Sequence, residues 1–184
     1  MGRINLGSKI VNYPMPVAIV GSKVNNKVNF MTAAWISMVS HNPPKMAVTL
    51  GKHHHTNKGI KENKAFSVCF PSTGQMKIVD LCGLVSGEKV DKSEYFAVFY
   101  GESEHAPLVD DFLLNVECKL DKIDVNGMNE TFIGDIVGIF ADETVLTNGK
   151  VDFDKLDPII LGQVTTEYRC LGAQIGQAWS AGKK

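Results

Sequence analysis

The sequence predicts a mainly β chain that closes into a small split or closed barrel. Two observations and one physical argument carry this. Short strand-like runs outnumber helical ones along the 184 residues. The two helical segments are isolated near the middle, so there is no βαβ alternation to build a doubly wound parallel sheet. Many short strands with few helices to cover them are best served by closure, which removes exposed edges. The length suggests one domain, and 44% hydrophobic with 21% charged residues fits a globular core.

In chain order, Val17 to Val20 is a buried-looking apolar run after Pro14 and Pro16. Val24 to Val28 reads as a hairpin turn, because Asn25-Asn26 tolerates the positive φ such turns require. Met31 to Ser40 is expected as one strand, stopped by His41-Asn42-Pro43-Pro44, since proline lacks the ladder N–H. Met46 to Leu50 is the next strand. Thr56 to Asn63 reads as a short helix with Thr56 as its N-cap. Ala65 to Phe70 alternates as a strand does, and Met76 to Val85 has mostly helical spacing. Phe112, Leu114, Val116, Cys118 and Leu120 follow a period of two, the mark of a half-buried strand. Ile133 to Leu146 is a further strand region, with Gly134 and Gly138 as bends or close approaches. Ile159 to Leu161 and Thr165 to Leu171 are the last short strands. Trp179 in the tail is expected to pack on the barrel or on a partner subunit. The plain alternative is a loose terminus, expected in any case for Gly182-Lys183-Lys184.

Net charge excludes one function class. With 19 basic and 20 acidic residues the chain sums to −1, against the basic excess of nucleic-acid binders. An anionic ligand must therefore be held by a local cluster. No apolar run approaches the roughly 20 residues that cross a bilayer. The first residues, Met1 to Gly7, lack the apolar stretch of a secretory signal, so the expected address is cytoplasmic. Cys69, Cys82, Cys118 and Cys170 form no CxxC pair and read as thiols, with Cys69 and Cys118 as small buried hydrophobes.

Three segments could carry chemistry. Lys52-His53-His54-His55-Thr56 invites a metal reading, but in an extended chain only His53 and His55 share a face, and no further ligand lies at suitable spacing. The run leads into a helix N-terminus, where unpaired N–H groups and the dipole favour an anion. Lys52, one or two of the histidines and the Thr56 hydroxyl would add donors, making a phosphate pocket. The plain alternative is a capped helix with solvated histidines. In Asn29-Phe30-Met31-Thr32-Ala33-Ala34-Trp35-Ile36-Ser37, small residues beside Trp35 leave backbone polar groups open to a flat ligand; a plain core strand is the alternative. In Ser86-Gly87-Glu88-Lys89-Val90-Asp91-Lys92, Lys89 and Lys92 could reach a phosphate and Ser86 could donate to it; the alternative is a solvated charged loop. No nucleophile elbow, P-loop, GxGxxG or paired carboxylate is present. The lack of acid–base machinery suits a protein whose cofactor carries the chemistry.

In their order these segments resemble the flavin reductase-like family of FMN-binding split barrels, most closely its flavoredoxin branch. Pro14-Met15-Pro16-Val17, Asn29 to Trp35, Ser40 to Pro44, Lys52 to Thr56 with Ile60, Ser86-Gly87 with Asp91-Lys92, Leu113-Asn115-Glu117-Cys118 and Tyr168 to Gly172 carry the match. The resemblance implies a Greek-key split β-barrel over residues 1–184 as one domain. It implies a homodimer with non-covalent FMN near the interface. Asn29 to Thr56 would be the main part of the site. Thr32, Ala33, Ala34 and Trp35 would meet the flavin ring and ribityl, with Ser37 joining them. Lys52, His53 and Thr56 would hold the phosphate, and Ser86, Gly87 and Lys92 would close the site. A redox flavoprotein fed by NAD(P)H or by a protein donor follows. The alternatives are a non-catalytic FMN electron carrier and a metal-binding sensor using His53 and His55.

Overall fold

A computed structural model describes residues 2–183. The strands are β1 (Pro14–Pro16), β2 (Ala18–Val24), β3 (Lys27–Ala33), β4 (Ile36–His41) and β5 (Pro44–Gly51), followed by helix α1 (Thr56–Asn63). Then come β6 (Ala65–Phe70), α2 (Met76–Leu84), β7 (Val98–Phe99), β8 (Leu108–Val109), β9 (Leu114–Asn126) and β10 (Asn129–Ala141). The chain finishes with β11 (Leu146–Thr147), β12 (Lys150–Val151), α3 (Phe153–Leu156), β13 (Ile160–Gly162) and β14 (Glu167–Arg169).

The main sheet has seven antiparallel strands in the order β3-β2-β6-β9-β10-β5-β4. Consecutive strands β3 and β4 therefore lie on opposite edges, yet only Ala34 and Trp35 join them. Two residues span at most about 7 Å per link pair, so the sheet must roll until its edges nearly meet. The Thr49 N–H donates to the Trp35 carbonyl at 2.9 Å, which extends the β4–β5 pairing back into this link. This is a split barrel, and it corrects the single strand expected over Met31 to Ser40. The chain breaks at Ala34-Trp35 to change edges, and the prolines sit in a tight hairpin between β4 and β5 with Asn42-Pro43 cis.

Other boundaries follow the residues closely. Asn25 and Asn26 take φ of 49° and 63° in the β2–β3 turn. Register shifts in the long β9–β10 ribbon fall at Ile133/Gly134 and Ile136/Gly138, where the two glycines were expected to mark bends. The strand expected to run on to Leu146 stops at Ala141. There the Asp142 carboxylate accepts the Thr144 N–H and caps a short 3-10 turn over Glu143–Val145.

Two apolar clusters lie on either side of the sheet. Val20, Val48, Phe66, Val68 and Phe132 fill the barrel, and Ile60 of α1 plugs one end. Ile19, Phe30, Cys69, Val79 and Cys82 join the second cluster, so α2 covers the outer face. Strand β9 is consequently buried on both faces over its first half, not half-buried as its period suggested. The polar residues of its other face are absorbed locally. Asn115 exchanges hydrogen bonds with the Val109 backbone, and Glu117 accepts from the N–H groups of Glu102 and Ser103. All four cysteines are free; Cys69 and Cys118 are fully buried, and burial pushes their thiols up to about 12. Trp179 is 93% exposed and does not pack on its own barrel. Lys184 lies outside the described residues.

Candidate functional site

The site is built around the N-terminus of α1. Gly59 lets this helix sit on the β2 backbone, since a Cβ there would stand 2.1 Å from the Lys23 carbonyl oxygen. The Asn63 amide donates to the same carbonyl at 2.7 Å. On its other flank, Glu130 of β10 accepts from Lys61 at 2.6 Å and from Asn57 at 3.0 Å. These ties aim the first turn of α1 at a cavity of about 210 Å³.

The histidine run enters that cavity as a turn. The His54 N–H donates to the Gly51 carbonyl at 3.1 Å, and the Lys52 N–H donates to Met128 at 2.9 Å. Because the backbone curls, His53, His54 and His55 all line the cavity. This corrects the expectation from an extended chain that only His53 and His55 share a face. The rings of His53 and His54 stand 4.3 Å apart. Burial, reinforced by the neighbouring His53 and Lys92, lowers the His54 pKa; burial and Lys58 lower that of His55. Both imidazoles are therefore neutral at neutral pH. The buried His55 Nδ1 has no hydrogen-bond partner among the described residues.

Thr56 is 1% exposed but is the first residue of α1 rather than its cap. His55 occupies the cap position without a side-chain bond. The Thr56 hydroxyl is held by Asn29, whose amide donates to it at 2.7 Å. A hydroxyl that accepts one bond keeps its own proton to give, and Thr56 lines the cavity. Asn29 thus orients a donor instead of pointing into this cavity itself. Its side chain also meets the loop after α2, where a Cβ at Gly87 would lie 1.7 Å from the Asn29 Oδ1. Only glycine fits there.

Lys92 closes the wall. It is 3% exposed, and its ammonium donates to the carbonyls of Cys82 at 3.0 Å and Val85 at 2.8 Å, at the C-terminal end of α2. A cation there complements the helix dipole. Burial lowers its pKa, and no carboxylate pairs with it among the described residues. An ammonium has three donors; two are used, and one is left for the cavity.

A second cavity, of about 430 Å³, shares Thr32, His53 and His54 with the first and is lined by Ala33, Ala34 and Trp35. The Trp35 indole N–H donates to Gln163 at 2.7 Å, which fixes the ring at the mouth. The Thr32 hydroxyl donates to the Val79 carbonyl of α2. Its remaining capacity toward a ligand is as an acceptor.

Of the twelve residues expected at the site, Thr32, His53, Thr56, Ser86, Gly87 and Lys92 line the first cavity, and Thr32 to Trp35 line the second. Ser37 and Lys52 line neither. Ser37 lies past the seam on the opposite edge strand, and Lys52 is exposed on a turn held by its backbone. Lys89 also falls outside both. Reading by segment missed His54, and missed Cys82 to Val85 and Gln163. The turn implied by a helix starting at Thr56 was a signal for His54. The others take part through backbone, apolar surface or a distant segment, and carry no local signature. Among the described residues no group of three or more His, Cys, Asp or Glu converges as a metal site, and no helix is long and apolar enough to cross a membrane.

Comparison with known proteins agrees with this geometry. The solved structure of flavoredoxin from Methanosarcina acetivorans is 42% identical, covering 100% of this chain and 98% of that one, with a TM-score of 0.97. Flavoredoxin of Desulfovibrio vulgaris (Miyazaki F) is 34% identical over 99% and 100% of the two chains, with a TM-score of 0.92. An uncharacterised protein of Archaeoglobus fulgidus is 30% identical over 80% of this chain and 86% of its own length. The model of the flavin reductase like domain matches residues 10–158. With that match spanning most of the barrel and both helices around the cavities, the chain belongs to the flavin reductase-like family.

Proposed function

We propose that the protein binds FMN non-covalently and passes electrons through it. One observation carries this reading: a pocket rich in uncommitted donors adjoins a cavity lined by Ala33, Ala34 and Trp35. The fit to a phosphate rests on the donor set. Thr56 keeps a hydroxyl proton, Lys92 keeps an N–H, and the buried His55 Nδ1 lacks a partner. In this reading Ala33, Ala34 and Trp35 meet the ring, Thr32 accepts from the ribityl chain, and His53, His55, Thr56, Ser86 and Lys92 hold the phosphate. Bound FMN supplies the redox chemistry, and the chain binds, orients and shields it. Residues 1–184 act as one domain in the cytoplasm.

The protein works as a homodimer in this reading. Support comes from apolar surface that its own barrel leaves uncovered: Ile175 and Trp179 in the tail, Met38 and Val39 on β4, and Ile4 and Leu6 at the start. A second copy would cover these apolar side chains and so supply the burial that one barrel does not. The electron donor is NAD(P)H or a redox protein.

The test is spectroscopic. Purified protein is expected to be yellow and to release FMN on denaturation, and colourless protein should regain the flavin spectrum when FMN is added. Protein that takes up neither FMN nor FAD refutes the reading. Turnover of NADH or NADPH then separates the enzyme from the carrier.

A further inference from the structure

The cavity beside Trp35 has a buried floor and an exposed rim. Met31, Ala33 and Leu50 line it and are buried, so they form the floor. Ile10 and Trp35 also line it, yet they are 57% and 37% exposed. A side chain that faces a cavity and solvent at once stands at the mouth. Both come from segments outside the sheet. Ile10 lies in an N-terminal arm, residues 2–13, that precedes β1 and holds no helix or strand. Trp35 lies in the two-residue link between β3 and β4.

One short turn holds both of them. Residues Gln163 to Thr166 join β13 to β14. Gln163 accepts the Trp35 indole N–H at 2.7 Å. The Asn12 Oδ1 accepts the Val164 N–H, and the Asn12 amide donates to the Thr165 hydroxyl, each at 3.1 Å. No other side chain of the arm is hydrogen-bonded to the rest of the chain among the described residues. The turn is itself anchored. The Thr165 hydroxyl donates to the Gly162 carbonyl at 3.3 Å, and the Tyr168 hydroxyl just beyond donates to Asp80 of α2 at 2.8 Å. Two rim residues from different parts of the chain are thus clamped at one fixed point.

Resting on the FMN reading of this cavity, we infer that Asn12 and Gln163 are positioning residues that hold Ile10 and Trp35 at the mouth and so latch the flavin ring in place. The latch is made of protein groups alone, so it weighs equally on the empty and the loaded protein. Flavin enters and leaves only while the mouth is open. Association and dissociation rates therefore both scale with the open fraction, and their ratio, the Kd, does not. Losing one neutral hydrogen bond raises that fraction roughly two- to tenfold. A latched flavin stays as a resident cofactor; an unlatched one exchanges with the solution as a substrate would.

The experiment measures kon and koff of FMN by stopped-flow fluorescence on wild type, Asn12→Ala, Gln163→Ala and Gln163→Glu, the last of which keeps an acceptor for the indole. In a Trp179→Phe background Trp35 is the sole tryptophan, and acrylamide quenching of its emission reports its accessibility in flavin-free protein. In Asn12→Ala, which loses two bonds, kon and koff are expected to rise together by at least about threefold, with Kd kept within about twofold. In Gln163→Ala, koff should rise by at least about threefold and Trp35 quenching by at least about twofold, and Gln163→Glu should return both close to wild type. A rise in koff without a rise in kon for Asn12→Ala marks a lost ligand contact and overturns the latch. Rates and quenching unchanged in every variant, with normal FMN binding, also overturn it and leave the flavin reading standing. Wild type that binds no flavin overturns both.

Discussion

Replacing Lys92 by Met separates the two tasks the structure gives this side chain. The aliphatic stem is kept and the ammonium is lost. Two buried bonds to the carbonyls of Cys82 and Val85 go with it. Hydrogen bonds to a charged group are worth about 1.5–3 kcal/mol each. Release of a buried, partly desolvated ammonium offsets part of this, so a net loss of about 1–3 kcal/mol is expected. Urea unfolding of flavin-free protein should show a midpoint lower by about 0.5–1.5 M at unchanged slope, given a slope of roughly 2 kcal/mol/M. The third N–H is the one assigned to phosphate. Its removal should weaken FMN by about 1.5–3 kcal/mol, roughly ten- to a hundredfold in Kd, and leave riboflavin within about threefold once stability is matched by temperature. Equal losses for FMN and riboflavin would reduce Lys92 to a helix-end clamp. An unchanged midpoint would refute the reasoning about the carbonyls.

Other perturbations probe the same pocket from different sides. Thr56→Ala and His53→Ala should each weaken FMN by about tenfold, the worth of one hydrogen bond to a charged group, while riboflavin changes little; equal effects on both ligands remove them from the phosphate. Gly87→Ala should cost at least tenfold in FMN affinity, since its Cβ would stand 1.7 Å from the Asn29 Oδ1. Gly74→Ala, whose nearest neighbour would be 3.8 Å away, serves as the control and should be silent. Burial lowers the pKa of His54 and His55, so the unfolded chain protonates first as pH falls. Stability of flavin-free protein is full above about 6.5 and declines as pH drops through the depressed values. A phosphate dianion opposes that decline by favouring the imidazolium. The Tm gap between FMN-loaded and flavin-free protein should therefore widen from pH 7.5 to about 6, where phosphate itself begins to protonate; a constant gap refutes the linkage.

Much of the barrel was legible because the signals were local. Asn25-Asn26 specified a turn, Gly134 and Gly138 specified bulges, and Thr56 to Asn63 specified a helix. The errors share a cause. Met31 to Ser40 reads as one strand because residue type does not report that β3 and β4 sit on opposite edges; that follows from the order of all seven strands. Strand β9 reads as half-buried because Asn115 and Glu117 are polar, and their burial depends on loop backbone N–H groups that only the folded chain supplies. Ser37 and Lys52 line neither of the two cavities, because one lies on the opposite edge strand and the other on an exposed turn, and residue type reports neither placement.

The donors of the phosphate pocket are, in the same way, properties of contacts between segments. Thr56 keeps its proton for a ligand because Asn29, 27 residues earlier, occupies one of its lone pairs. Asn29 can reach it because residue 87 has no side chain to block the approach. Lys92 keeps one N–H because the end of α2 takes two and no carboxylate among the described residues takes the third. A chain with a net charge of −1 cannot attract an anion by its overall field. It can hold one by withholding partners from a few buried donors, and β3, α1 and the loop from Ser86 to Lys92 must all be in place for that. Loss of any one of the three contacts should therefore loosen the same pocket, which makes Asn29→Ala, Gly87→Ala and Lys92→Met non-additive in FMN affinity.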